Sequence, residues 1–190
     1  DPLLRQILPV IEEDQLAEGF SLDAVGDATA KGGTGVIHKY KGRALLITTG
    51  SCAIHCRYCF RQHFPYAEET AASSRWSGAI AYLKSDASIT ELILSGGDPL
   101  SLSTAKLKEL TDQLAEIPHI KRLRIHTRLP VVLPERVDEE LLSWIDGLQW
   151  PLAVVIHANH ANELGPDVAD AVSKLKLRNA ILLNQAVLLK

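Results

Sequence analysis

Short apolar runs, several of them rich in β-branched residues, recur along most of the chain and are bounded by polar or glycine-containing segments. Runs of this length and composition predict buried strands of a parallel sheet. After a longer first interval, the runs start about 30 residues apart, which is the length of one βα unit. The five predicted strands cover residues 44–49, 92–94, 120–125, 152–156 and 180–183.

Between these runs, apolar residues recur every three or four positions, a spacing that predicts helices with one buried face. Ser103 is a predicted N-cap, and Pro118 lies just beyond the end of the same predicted helix. Alternating strands and helices predict an α/β fold with right-handed crossovers. We therefore expect a partial (β/α) barrel of about five βα units. The predicted helices cover residues 74–84, 103–117, 138–145 and 167–177.

The first part of the chain lacks this pattern. Residues 19–35 are rich in Gly, Ala and Asp, a composition that predicts a loop. We divide the chain into an N-terminal lead-in, or extension, at residues 1–40 and a barrel domain at residues 41–190. The chain starts without a methionine and stops at Lys190 directly after an apolar run. We therefore expect a fragment of a longer protein.

Composition and charge exclude several classes of protein. Hydrophobic residues make up 46% of the chain and charged residues 23%, which is typical of a globular domain. A net charge of −3 gives no indication of a nucleic-acid or membrane surface. No apolar run is long enough to span a membrane, and no leader of the secretory type is present. We expect a cytoplasmic protein without nucleic-acid or membrane partners.

All three cysteines lie directly after the first predicted strand, at Cys52, Cys56 and Cys59, with the spacing C-x3-C-x2-C. A disulfide framework normally has an even number of cysteines, and a structural zinc site normally has four ligands. Thiolates also hold iron–sulfur clusters. A four-iron cluster with three thiolates leaves one iron open for a substrate or cofactor. A zinc site completed by His55 or His63, and three inert cysteines, remain as alternatives.

Polar residues and glycines follow every predicted strand. In βα barrels the functional residues lie at the carboxyl ends of the strands, so these segments are expected to meet at one face. Simpler interpretations also remain open, among them a tight turn, buried histidines with satisfied hydrogen bonds, and surface arginines. The segments cover residues 52–59, 95–98, 126–128, 157–160 and 184–185.

The cysteine run, with Tyr58 before its last cysteine, resembles the motif of the radical S-adenosylmethionine (SAM) enzymes. Further segments are similar to the lysine 2,3-aminomutase family. The similarity is strongest to its bacterial branch of elongation factor P β-lysylation protein B, because Tyr58 and Phe60 replace the His and Thr of the free-lysine enzymes. The segments are HKYKGRALLITTGSCAIHCRYCFRQHFPY at 38–66, LILSGGDPLSL at 92–102, HIKRLRIHTRLPVVLPERV at 119–137, IHANHANEL at 156–164 and LLNQAVLL at 182–189.

This resemblance implies an isomerase that converts (S)-α-lysine to (R)-β-lysine for attachment to elongation factor P. It implies three cofactors, a [4Fe-4S] cluster, SAM and pyridoxal 5′-phosphate (PLP). By matching positions, the cluster ligands are Cys52, Cys56 and Cys59, and the SAM contacts are Gly96, Gly97, Asp98, His157 and Gln185. Arg61 would bind the substrate carboxylate, and Lys39, Tyr40 and Arg43 would face PLP.

In the family, the lysine that binds PLP, the acidic residues for the substrate amine and the sixth strand lie beyond the end of this chain. We therefore expect the 190 residues alone to be inactive. The expected partners are lysine, an external electron donor, an elongation factor P ligase that takes the product, and a second copy of the chain. The alternatives are a free-amino-acid 2,3-aminomutase, for lysine or glutamate, and a cluster- or zinc-binding module without radical chemistry.

Overall fold

One mixed sheet organises the chain in the computed structural model, which describes residues 1–15, 18–69, 76–178 and 180–187. Within these residues, seven strands lie side by side in the order of the sequence. The strands are β1 Lys31–Gly33, β2 Val36–Tyr40, β3 Arg43–Thr49, β4 Glu91–Gly96, β5 Arg122–Thr127, β6 Leu152–Ile156 and β7 Ile181–Asn184.

The predicted parallel part of the sheet is confirmed. Strands β3 to β7 pair with their sequence neighbours in parallel register, and each contains or overlaps one of the five predicted strands. Ser103 caps the third helix through a hydrogen bond from the Lys106 amide, as predicted. The predicted helix at 74–84 begins at residues that lie outside the described part of the chain. The helices are α1 Tyr66–Glu69, α2 Ser77–Ser85, α3 Thr104–Ala115, α4 Leu129–Val132, α5 Glu139–Asp146 and α6 Pro166–Leu177.

The predicted lead-in contributes to the same sheet. Strand β2 pairs antiparallel with β3, and β1 pairs antiparallel with β2, so the sheet continues across residues 40 and 41. Strand β1 lies within residues 19–35, which the sequence analysis predicts as a loop. Gly32 explains why a strand forms there instead. A Cβ atom at Gly32 would lie 2.5 Å from the Tyr82 ring, so glycine lets this strand approach α2 closely.

The core lies between the helices and one face of the parallel strands. Leu46, Leu94 and Leu123 from successive strands are fully buried and belong to the same hydrophobic cluster as Leu107 and Leu110 of α3. The opposite face carries both buried and partly buried residues and opens onto cavities at the carboxyl ends of the strands. Among the described residues, no helix is both long and apolar enough to cross a membrane.

Candidate functional site

A cavity of about 220 Å³ lies at the carboxyl ends of the parallel strands. The topology brings together here residues that are far apart in the sequence, because all parallel strands end at the same edge of the sheet. All the predicted cluster and SAM residues line it, as does the predicted substrate-binding arginine. They are Cys52, Cys56, Cys59, Arg61, Gly96, Gly97, Asp98, His157 and Gln185.

The loop that carries the cysteines is held in place mainly by neighbouring backbone. The Asp98 amide donates to the Ser51 carbonyl at 2.8 Å, and the Gly97 amide donates to the Thr49 carbonyl at 2.7 Å. On the other side, the Arg57 amide donates to the Gln6 carbonyl at 2.8 Å. Local turns complete the loop, including a hydrogen bond from the Cys59 amide to the Cys56 carbonyl. Contacts from β4 and from the N-terminal segment thus position the thiols.

Gly97 allows the loops after β3 and β4 to touch. A Cβ atom at this position would overlap the Ser51 carbonyl oxygen and lie 2.8 Å from the Gly50 carbonyl carbon. The resemblance assigns Gly97 to SAM. The structure shows that the backbone of the cysteine loop lies against Gly97, which also lines the cavity. Gly96 has a φ angle of +114°, which glycine tolerates best.

The buried Asp98 carboxylate joins the ends of β4 and β5. It accepts hydrogen bonds from the Thr127 hydroxyl at 2.6 Å and from the Arg128 and Leu129 amides at 2.7 and 3.1 Å. It also accepts from the Leu100 amide. Burial raises the pKa of this carboxyl, and these hydrogen bonds oppose that effect. The side chain therefore fixes the segment after β5 against the end of β4.

The three thiols surround the cavity. Among the described residues, no three of the His, Cys, Asp and Glu side chains converge closely enough to hold one metal ion. His55 and His63 are exposed, which disfavours the alternative zinc site. In a cubane cluster each thiolate binds a different iron, so thiols spread around a cavity fit that group better. Burial, followed by the Asp98 charge, raises the pKa of Cys52 to about 11, so metal binding must displace its proton.

Three buried polar atoms in the cavity wall lack a hydrogen-bond partner among the described residues. They are Nε2 of His126, Nε2 of His157 and Nε of Arg128. Buried polar atoms normally have partners, so these atoms indicate a polar ligand. Burial, with the nearby His157 charge, lowers the pKa of His126 to about 4, and burial also lowers the pKa of His157. Both shifts favour the neutral form of the ring, which fits a polar cofactor such as SAM.

Arg61 makes an ion pair that the sequence analysis missed. Its Nε donates to the buried Asp27 carboxylate at 2.5 Å, and Lys39 pairs with the other oxygen of the same carboxylate. Asp27 lies in the segment predicted as a loop, 34 residues before Arg61, and no local pattern indicates the contact. Because Asp27 engages only Nε, the contact is compatible with a bidentate interaction of the two terminal nitrogens with a ligand.

A second cavity of about 150 Å³ adjoins the first. The predicted PLP residues Lys39, Tyr40 and Arg43 all line it. Leu45, Phe60 and Arg61 line both cavities. Tyr40 is 67% exposed, and the Arg43 side chain is half exposed and lies 3.9 Å from Glu91. Arg61 therefore lies where the predicted SAM and PLP regions meet.

Comparison with known proteins gives the class of this site. A family model described as "4Fe-4S single cluster domain" matches residues 33–144, more than half of the chain. The chain belongs to this family. The matched region contains the cysteine loop, β3 to β5 and the glycine segment after β4.

The whole chain is also similar to curated proteins of one name. It is 45% identical to the L-lysine 2,3-aminomutase of Escherichia coli and 43% identical to that of Haemophilus influenzae, in both cases over all 190 residues. It is 40% identical to the protein of the same name from Buchnera aphidicola. These relatives confirm the resemblance to the lysine 2,3-aminomutase family. The chain covers 55% of the first relative and 56% of the other two, about half of their length.

The contact at Gly97 predicts the effect of adding one methyl group. Gly97→Ala should destabilise the protein by about 1–3 kcal/mol, because the methyl group must displace the backbone of the cysteine loop. Iron uptake on reconstitution should fall as well. Urea unfolding and iron analysis measure the two effects.

Gly78→Ala is the matched control. Gly78 lies in α2, and no described residue lies within 4 Å of the position that a methyl group there would take, so alanine should stabilise the helix by about 0.5–1 kcal/mol. Normal stability and iron uptake in Gly97→Ala would contradict the role assigned to this glycine.

The buried His126 predicts a loss of stability at acid pH. Its folded pKa of about 4 lies below the ordinary value of 6.5, so unfolding takes up a proton between these pH values. The contribution of neutral, buried His126 to the free energy of unfolding is therefore fully present above pH 6.5. It is lost as the pH falls towards 4, by at most about 1.4 kcal/mol per pH unit. In urea unfolding of the metal-free protein, His126→Gln should lose less stability than the parent as pH falls. Exposed His63→Gln is the control, and equal slopes for parent and His126→Gln would refute the assignment.

Proposed function

We propose that the protein is a radical SAM, PLP-dependent aminomutase that converts (S)-α-lysine to (R)-β-lysine. One observation carries this proposal. Three cysteines, a glycine segment and two imidazoles whose Nε2 atoms have no partner among the described residues line one cavity. That cavity shares Arg61 with a second cavity whose lining includes cationic and phenolic side chains. The relatives are named L-lysine 2,3-aminomutase, which supports an aminomutase that acts on lysine.

The residues of the first cavity would bind different cofactors, according to their chemistry. Cys52, Cys56 and Cys59 would hold the cluster, and the backbone at Gly96 and Gly97 lies beside them for the amino group of SAM. His157 and Gln185 would contact SAM from the ends of β6 and β7. Bound there, the cluster and SAM would supply the radical that starts the reaction, and PLP would supply the electron delocalisation.

The residues between the cavities would orient the substrate. Arg61 would bind the carboxylate of lysine through its planar guanidinium, while Asp27 fixes that group from its Nε side. Lys39 and Arg43 would bind the phosphate of PLP, and Tyr40 would lie beside it. The first cavity is mainly apolar, which limits access of water to a radical centre.

Several finer statements complete the proposal. The product would be transferred to elongation factor P by a separate ligase in the cytoplasm, and an external donor would supply the electron. Tyr58 and Phe60 in the cysteine loop support this branch over the free-amino-acid aminomutases. The enzyme would act as a homo-oligomer, and the 190 residues alone would be inactive. The proposal divides the chain into the extension at 1–40 and the barrel at 41–190.

Iron uptake tests the cluster. After anaerobic reconstitution, the protein should bind about four irons, the content of one cubane cluster. Reduction should give an electron paramagnetic resonance signal that changes when SAM is added. Serine at Cys52, Cys56 or Cys59 should abolish this signal. Stoichiometric zinc with no iron uptake would favour the metal-binding module without radical chemistry.

Arg61→Lys in the full gene product tests the substrate contact. Lysine keeps the charge but lacks the planar fork, so loss of the bidentate contact should cost about 2–3 kcal/mol. The affinity for the substrate lysine should fall about 30-fold to 150-fold. Turnover of lysine and SAM cleavage without substrate are measured together.

The two activities distinguish the roles of Arg61. SAM cleavage without substrate should change little, because Arg61 is assigned to the substrate. Unchanged lysine turnover would remove Arg61 from the substrate site, and parallel loss of both activities would assign it to the cluster region instead. Turnover of glutamate in place of lysine by the parent would favour the free-amino-acid alternative.

A further inference from the structure

Arg128, at the end of β5, contacts a cluster-binding cysteine directly. Its Nη1 donates to the Sγ atom of Cys56 at 3.0 Å, and the residue is only 8% exposed. The sequence analysis placed Arg128 at the carboxyl end of a strand but gave it no role. A guanidinium on a thiolate brings a positive charge and an N–H···S bond to the same sulfur.

A network of buried side chains fixes this guanidinium. Nη2 of Arg128 donates to Glu163 at 2.9 Å and to the Gln6 side chain at 2.7 Å. Gln6 in turn donates to the other oxygen of Glu163 at 2.9 Å. The Glu163 and Arg128 side chains are less than 10% exposed. Arg128 is therefore held from two separate segments of the chain, which gives it one orientation towards Cys56.

Tyr58, in the cysteine loop, also lies beside Arg128 and is linked to the side chains that hold it. The Arg128 guanidinium lies 5.8 Å from the centroid of the Tyr58 ring. The Tyr58 hydroxyl accepts a hydrogen bond from Asn159 at 2.5 Å, and Asn159 also donates to Gln6 at 2.9 Å. The residue before the last cysteine is thereby tied to the same network as the arginine.

We propose that Arg128 is a positioning residue that raises the reduction potential of the cluster through its N–H···S bond and positive charge at Cys56. Net charge and hydrogen bonds to the sulfurs set the potentials of iron–sulfur clusters. A fixed cation stabilises the reduced cluster, which carries one more negative charge than the oxidised form. This inference rests on the proposed cluster and not on the aminomutase reaction.

The test compares two substitutions at Arg128 in the reconstituted full gene product. Arg128→Met removes the charge and the donors at similar length, and Arg128→Lys keeps the charge but cannot make all three contacts. The midpoint potential of the cluster, measured by poised electron paramagnetic resonance, should be highest in the parent and lowest in Arg128→Met. At the parent's midpoint, the ratio of reduced to oxidised cluster should fall about tenfold in Arg128→Met.

Arg124→Met is the matched control on the same strand. Arg124 lies near the start of β5, is partly buried and pairs with Glu91 at the start of β4, so its loss should leave the potential close to that of the parent. A purely structural role for Arg128 would lower the amount of cluster without changing the potential of the loaded fraction.

The possible results are distinct. Loaded Arg128 variants with the parent's potential, or a higher one, would overturn the proposal, as would an equal shift in Arg124→Met. If Arg128→Met takes up no iron, the proposal is tested by comparing the midpoint potential of Arg128→Lys with that of the parent. A parent that takes up no iron would overturn the cluster proposal, and this inference with it, before any variant is compared.

Discussion

The contact between the loops after β3 and β4 is the constraint on which the site depends. Two backbone hydrogen bonds, from Gly97 to Thr49 and from Asp98 to Ser51, join the cysteine loop to the glycine segment. They require a residue without a Cβ atom at Gly97, since any side chain would overlap the Ser51 carbonyl. Asp98 then carries the connection on to β5 through its carboxylate. The thiols thus take their position from three strands and not from the loop alone.

Parts of the fold with local or periodic signals could be predicted from sequence. The five parallel strands and most helices follow from runs of apolar residues, whose period is visible within a short window. Strand β1 could not be predicted this way, because its glycines match a loop in composition, and its pairing with β2 and close approach to Tyr82 are visible only in the structure. Strand β2 carries Val36 and Ile37, both buried, but it is short and falls within the predicted lead-in at residues 1–40.

The sequence predicts which residues line the site but not which residues they contact. The cysteine spacing and the strand ends place Cys56, Gly97 and His157 at one cavity from sequence alone. The partners of Arg61 and Arg128 are 34 and 35 residues away, in segments without a pattern of charge, so no local rule could find them. The resemblance to a family supplied roles for single residues, whereas ion pairs between distant segments required coordinates.

Arg61 and Arg128 are both held at the site by a buried carboxylate. Arg61 is paired with Asp27 and Arg128 with Glu163, and in each case the carboxylate is almost completely buried. Burying such pairs costs desolvation energy that their attraction often only balances, so they are weak candidates for stabilising the fold. Each carboxylate instead holds the guanidinium in one orientation and leaves other donors at the cavity, Nε in Arg128 and the terminal nitrogens in Arg61. Because the two acids come from the N-terminal segment and from the segment after β6, regions outside the cysteine loop determine how the site presents positive charge to its ligands.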